Sequence, residues 1–133
     1  MLCKKLNNEI FMHLEHLSYH MPLVELAQLI KQHCPDLLIQ EITDLIISRE
    51  KVGDTFIGHR TVVLHVVSSK IRNENCLYIS SDTVAKWQSL ATKQNHDVEQ
   101  FIILVVNPKS KTHYFRHLSL ILQSPIKLRK MTE

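Results

Sequence analysis

Ile47-Ile-Ser-Arg-Glu-Lys-Val-Gly-Asp-Thr-Phe-Ile-Gly-His-Arg-Thr-Val-Val-Leu-His65 is the stretch on which the fold turns. It holds Gly53 and Gly58, the only two glycines in 133 residues, so each is predicted to mark a backbone geometry that other residues resist. Before it, Leu38, Ile42, Leu45 and Ile46 recur at helical spacing. Within it, Thr61 to Val67 is almost wholly β-forming. The order is therefore a helix, a shaped loop beginning at Arg49, and a strand. Along that strand Val62, Leu64 and Val66 are apolar, while Thr61, Val63, His65 and Val67 alternate with them, so His65 belongs to the less uniformly apolar face and can line a cleft.

Outward from this centre, Leu23, Leu26, Ala27 and Ile30 form a helical stripe that begins beside Pro22 and ends near His33. Pro35-Asp36 punctuates, and a second helix runs from about Leu37 to Ser48. Glu9 to Glu15 reads as a strand or a helical start, and the strand is favoured. Downstream, Ser68 to Asn75 is a polar connection and Cys76 to Ser80 a short strand. Ser81 to Gln100, with Trp87 in polar surroundings, has no assignable pattern. Phe101 to Val106 is a buried, central strand closed by Asn107-Pro108. A last helix restarts at Ser110, with Tyr114, Leu118, Ile121 and Leu122 on one face and His113 in its first turn, where free N–H groups and the positive dipole end favour an anion. No repeat or linker divides residues 1–133, so the expected architecture is one α/β (α+β) domain, a mixed sheet flanked by helices.

Composition narrows the function classes. A 44% hydrophobic chain of this length can build a proper core. The net charge of +3, without a dense basic stripe, argues against nucleic acid as a direct partner. Cys3, Cys34 and Cys76 are an odd number without CxxC spacing, which points to free thiols in a reducing, cytoplasmic setting. No apolar run is long enough to cross a bilayer, and the segment after Lys4 and Lys5 lacks the apolar core of a signal peptide. There is no glycine-rich phosphate loop with lysine, so direct use of ATP is not expected.

Arg49-Glu50, the loop Thr55-Phe-Ile-Gly58 and a hydrophobic run closing on His65 together resemble the active-site segment of the mannitol/fructose-type enzyme IIA domain. That bacterial family belongs to the phosphoenolpyruvate-dependent sugar phosphotransferase system. It carries an Arg-Glu pair, a Thr-Gly-Ile-Gly-like loop and a Pro-His dipeptide whose histidine accepts the phosphoryl group. The resemblance implies that His65 is the acceptor and that His113, at the start of the late helix, supports the phosphorylated state, with His117 one turn on. It implies a cytoplasmic phosphohistidine phosphotransferase of sugar transport. Its donor would be the histidine phosphocarrier protein and its recipient an enzyme IIB domain of a sugar permease, with no cofactor. Three positions depart from the family pattern: Phe56 and Arg60 replace loop glycines, and Leu64 replaces the proline before the acceptor. They favour an alternative, a catalytically degenerate regulatory or interaction module of the same fold that senses the state of the phosphotransferase system.

The chemistry asked of these residues is consistent with their types. Imidazole is unprotonated near neutral pH and can act as nucleophile. The charge on a transferring phosphoryl group sits on its equatorial oxygens, so fixed cations and donors do most of the work. Arg49 and His113 suit that role, and Thr55, the amides at Gly58 and the Arg60 side chain are weaker candidates for binding phosphate. A metal reading of His113 with His117, or of His13, His16 and His20, lacks carboxylate partners and an HExxH motif, so no metal site is expected.

Overall fold

The computed structural model describes residues 2–6 and 8–109. In chain order come β1 (Leu2–Leu6), β2 (Glu9–Leu14), α1 (Leu23–His33), α2 (Ile39–Glu50), β3 (Thr61–Val67), β4 (Asn75–Gln88) and β5 (Asn95–Val106). The strands form one mixed sheet in the order β1-β2-β4-β5-β3. The β1–β2 and β4–β5 pairs are antiparallel, and β2–β4 and β3–β5 are parallel.

The two faces of the sheet are packed differently. Val62, Leu64 and Val66 of β3 join Phe101, Ile103 and Val105 of β5 on the face against which α1 and α2 pack through Leu26, Ala27, Ile30, Ile42 and Ile46. Each such aliphatic side chain taken out of water contributes about 1.5–3 kcal/mol before conformational entropy is counted. The opposite face carries a smaller cluster of Phe11, Val63, Cys76, Tyr78, Ile102 and Leu104. His65 alternates with Val62, Leu64 and Val66 and so stands on this second face, opposite Leu104 in the β3–β5 register.

α1, α2 and β3 follow the periodicities that predicted them, Glu9 to Leu14 is the favoured strand, and the last helix expected from Ser110 lies outside the described residues. Three boundaries differ. α2 continues to Glu50, so Arg49 lies in its last turn instead of at a loop start. β4 runs on to Gln88 and β5 begins at Asn95, so the unassigned Ser81–Gln100 region is most of a long hairpin. The alternation is lost there because of a bulge: Ser80 pairs with Gln100 but Ala85 with Val98, five steps along one strand against two along the other. Past the bulge Trp87 points inward and is buried. Finally, β1 pairs along β2 although Lys4 and Lys5 give it no apolar alternation, and edge strands tolerate such charges.

Candidate functional site

The last turn of α2 places two neighbouring charged residues in unlike surroundings. Glu50 is 3% exposed, and its carboxylate accepts hydrogen bonds from Thr55 Oγ1 at 2.7 Å and Trp87 Nε1 at 3.2 Å. Burial pushes its pKa up, opposed by these two bonds and by the Arg49 charge. Arg49 is half-buried, and its Nη1 atom is fully buried with no hydrogen-bond partner among the described residues. Backbone bonds hold this helix end, with Lys51 N donating to Ile47 O and Val52 N to Arg49 O.

His65 occupies the second face of β3, half-buried. Its Nδ1 atom is the other orphan: buried, with no partner among the described residues. Burial first, and the Arg49 guanidinium second, hold its pKa below the ordinary histidine value, so the ring is neutral near pH 7. Arg49 and His65 are thus electrostatically coupled, a cation beside an uncharged imidazole, each with an unused polar atom. Buried polar atoms are rarely left unpaired in folded proteins, which makes this pair the candidate site of the described residues.

The loop between them is laid along β3. Val63 N donates to Thr55 O, Ile57 N donates to Thr61 O, and Phe56 and Val62 form an antiparallel bridge. Residues before Phe56 therefore lie toward His65 and residues after it away from it. Gly58 (φ +86), His59 (φ 52) and Arg60 (φ 55) are consecutively left-handed, so Gly58 serves the turn as expected while Arg60 adopts a conformation better suited to the family's glycine. Gly53 does not have a positive φ, and an added Cβ would meet nothing within 4 Å, so no special geometry requires it.

Of the other phosphate-binding candidates, Thr55 lies beside β3 near His65, while Gly58 and Arg60 stand away from it. Thr55 commits its hydroxyl to Glu50. Gly58 and Arg60 lie beyond the start of β3 at Thr61, which is itself four residues, about 13 Å of extended strand, from His65. Arg60 Nη1 faces Glu99 at 3.6 Å instead. His113 and His117 lie outside the described residues. His13 binds Ser80 Oγ at 2.7 Å and Asp82 at 2.9 Å, and among the described residues no group of three potential metal ligands occurs.

Two side-chain clusters on the loop were not anticipated. One is Glu50 with Thr55 and Trp87. The other joins Asp54, Phe56 and His96: His96 Nε2 lies 2.8 Å from Asp54, Asp54 Oδ1 accepts from Phe56 N, and the Phe56 and His96 rings stack at 4.0 Å with a 6° interplanar angle. Neither carries a local signal, because Trp87 and His96 reach the loop only through the β4–β5 hairpin.

The model of the phosphoenolpyruvate-dependent sugar phosphotransferase system EIIA 2 family matches residues 7–133. Among solved structures, the fold is similar to that of nitrogen regulatory protein IIA-Ntr from Neisseria meningitidis, at TM-score 0.66 and 17% identity, covering 88% of this chain and 77% of that one. It is also similar to IIA mannitol from Escherichia coli, at TM-score 0.59 and 14% identity, covering 98% and 92%. No curated protein sequence matches the chain.

Proposed function

This chain belongs to the EIIA 2 family of the phosphoenolpyruvate-dependent sugar phosphotransferase system, and we propose on that premise that His65 carries a phosphoryl group between two proteins. The donor in this reading is the histidine phosphocarrier protein, and the recipient is an enzyme IIB domain. The observation that carries it is the pairing of Arg49 with a neutral His65, each holding a buried polar atom that no described residue satisfies.

Transfer forms one N–P bond as another breaks. Nδ1 of His65 is buried, which leaves Nε2 as the nitrogen to attack the phosphorus of an incoming phosphohistidine. The donor's N–P bond breaks, and its ring departs with the electron pair. The depressed pKa keeps the lone pair of His65 available without deprotonation. Arg49 then neutralises the equatorial oxygens as charge shifts toward His65, with a guanidinium one nitrogen of which burial has already stripped of water. His113 supports the phosphorylated state in the same reading, by family resemblance.

A second reading is supported by Phe56, Arg60 and Leu64, and by the likeness to a nitrogen regulatory IIA protein. In it the domain binds a phosphocarrier and reports its state without handing the phosphoryl group on. One experiment separates the two. The protein is incubated with phosphoenolpyruvate, enzyme I and the histidine phosphocarrier protein, and its intact mass is read beside that of His65→Ala. Carriage requires one acid-labile phosphoryl group that the variant lacks. A folded protein that gains none, beside a competent enzyme IIA control, leaves the regulatory module.

A further inference from the structure

We propose that His96 is a positioning residue that holds the loop from Lys51 to Arg60 in the shape needed to dock the phosphate-delivering protein. The idea rests on the carrier reading above and extends it to a residue on a different strand. His96 grips the loop twice, through its 2.8 Å contact with Asp54 and through its stack on Phe56. Asp54 in turn caps the Phe56 amide at 2.9 Å, so the two contacts tighten one turn instead of two independent points.

The loop has apolar side chains to present. Val52 is 78% exposed and Ile57 42% exposed, on either side of the gripped residues. A partner of ordinary interface size covers about 800 Å² of each protein, a disc of about 16 Å radius. Centred near His65, such a footprint spans the loop. The gripped segment is tied to β3 through the Thr55–Val63 backbone bond, which sets where the loop stands relative to His65. Phe56 stands where the family resemblance places a glycine, and a bare glycine offers no ring for His96 to stack on. The clasp is therefore a feature of this chain's own sequence.

The consequence is kinetic and specific. Arg49 is held by α2 and His65 by β3, so releasing the loop leaves the reacting groups in place. What is lost is preorganisation: a loose loop must be ordered when the partner binds, and that cost falls on docking. A residue serving stability alone would lower the unfolding temperature and the fraction of active protein without moving the KM for a protein substrate.

The test measures phosphoryl uptake as a function of histidine phosphocarrier protein concentration for the parent, His96→Phe and Phe56→Gly. His96→Phe keeps a ring for the stack and removes the Asp54 bond, and Phe56→Gly removes the stack. Each is expected to raise KM about 3- to 10-fold with kcat within about twofold, the range one partly exposed contact supports. His96→Gln, which can still donate to Asp54, is expected to recover part of the loss relative to His96→Phe. Amide hydrogen exchange should quicken at Phe56 in His96→Phe and at Ile57 in both loosened variants, which identifies the loop as the part released. Unchanged KM and unchanged exchange in both, with an active parent, overturn the docking role and leave the carrier reading standing. A parent that accepts no phosphoryl group overturns both.

Discussion

Arg49 and Glu50 are neighbours in one helical turn, but Glu50 continues the buried i, i+4 stripe of Ile42 and Ile46 and Arg49 does not. Glu50 sits among the helix-side core with its carboxylate bonded to Thr55 and Trp87. Arg49 keeps a buried nitrogen unpartnered among the described residues and acts on His65. A buried charge with its bonds made is a structural member. A buried charge whose bonds are left open costs stability, and the fold tolerates that cost where a ligand will supply the missing partner. In the proposed reading the contrast separates the part of the α2 terminus that holds the loop from the part that meets the phosphoryl group.

The strongest way to break this contrast is to remove each side chain in turn. Arg49→Ala is expected to slow phosphoryl uptake by about 10²–10³-fold, the range for losing one preorganised donor, with little change in unfolding temperature. Stopped-flow or quench-flow transfer from the phosphocarrier protein reads the rate, and thermal unfolding is the control. Glu50→Ala should do the reverse. It leaves the Thr55 hydroxyl and the Trp87 N–H buried without an acceptor, and is expected to cost about 3 kcal/mol in denaturant unfolding, with transfer falling only as folded protein is lost. If Glu50→Ala proved stable but inactive, the assignment of roles would be inverted.

Protonation sharpens the comparison further. The folded pKa of His65 lies below its unfolded value of about 6.5, so the unfolded chain takes up the proton first as pH falls. The stability contributed by the neutral ring is complete above about pH 6.5 and declines below it, until pH reaches the depressed folded value. An NMR titration of the ring is expected to show the depression, and Arg49→Gln should raise the pKa only in part, because burial is the larger cause. Full recovery to the free value would mean that the guanidinium alone sets it.

The smallest effect is expected at Arg60. Its side chain is 56% exposed and faces Glu99, so Arg60→Gln should change stability by less than about 1 kcal/mol and leave transfer within about twofold. A large loss of transfer would place its guanidinium at the phosphate after all. Arg60→Gly tests a different property, because φ is positive there, and a modest gain in stability is expected from relieving the left-handed backbone.

Much of the frame was legible because burial leaves a period in the sequence. Thr61 to Val67 and Phe101 to Val106 announce themselves as strands, and Leu26, Ala27 and Ile30 announce the buried face of α1. Trp87 did not, since the bulge after Ser80 resets the alternation and its polar neighbours Lys86 and Gln88 mask an inward turn. His65 could be assigned to a face by counting along β3, but its coupling to Arg49 depends on where α2 ends against that strand.

The set of elements and the family likeness are written in local spacing: the stripes of α1 and α2, the run of β3, and Arg49-Glu50 followed at a fixed distance by His65. Which polar groups find partners depends on the folded chain. Glu50 meets Trp87 across 37 residues of chain, and Asp54 meets His96 across 42, because the β4–β5 hairpin extends past the start of β3 and lies beside the loop. Hydrogen bonding depends on distances of about 3 Å between groups the chain brings together only on folding, and no local pattern encodes them. Arg49 and His65 differ from Glu50 and Asp54 for the same reason: the fold left a buried atom of each without a partner among the described residues, and in the proposed reading the phosphoryl group meets the Arg49 guanidinium and bonds to Nε2 of His65.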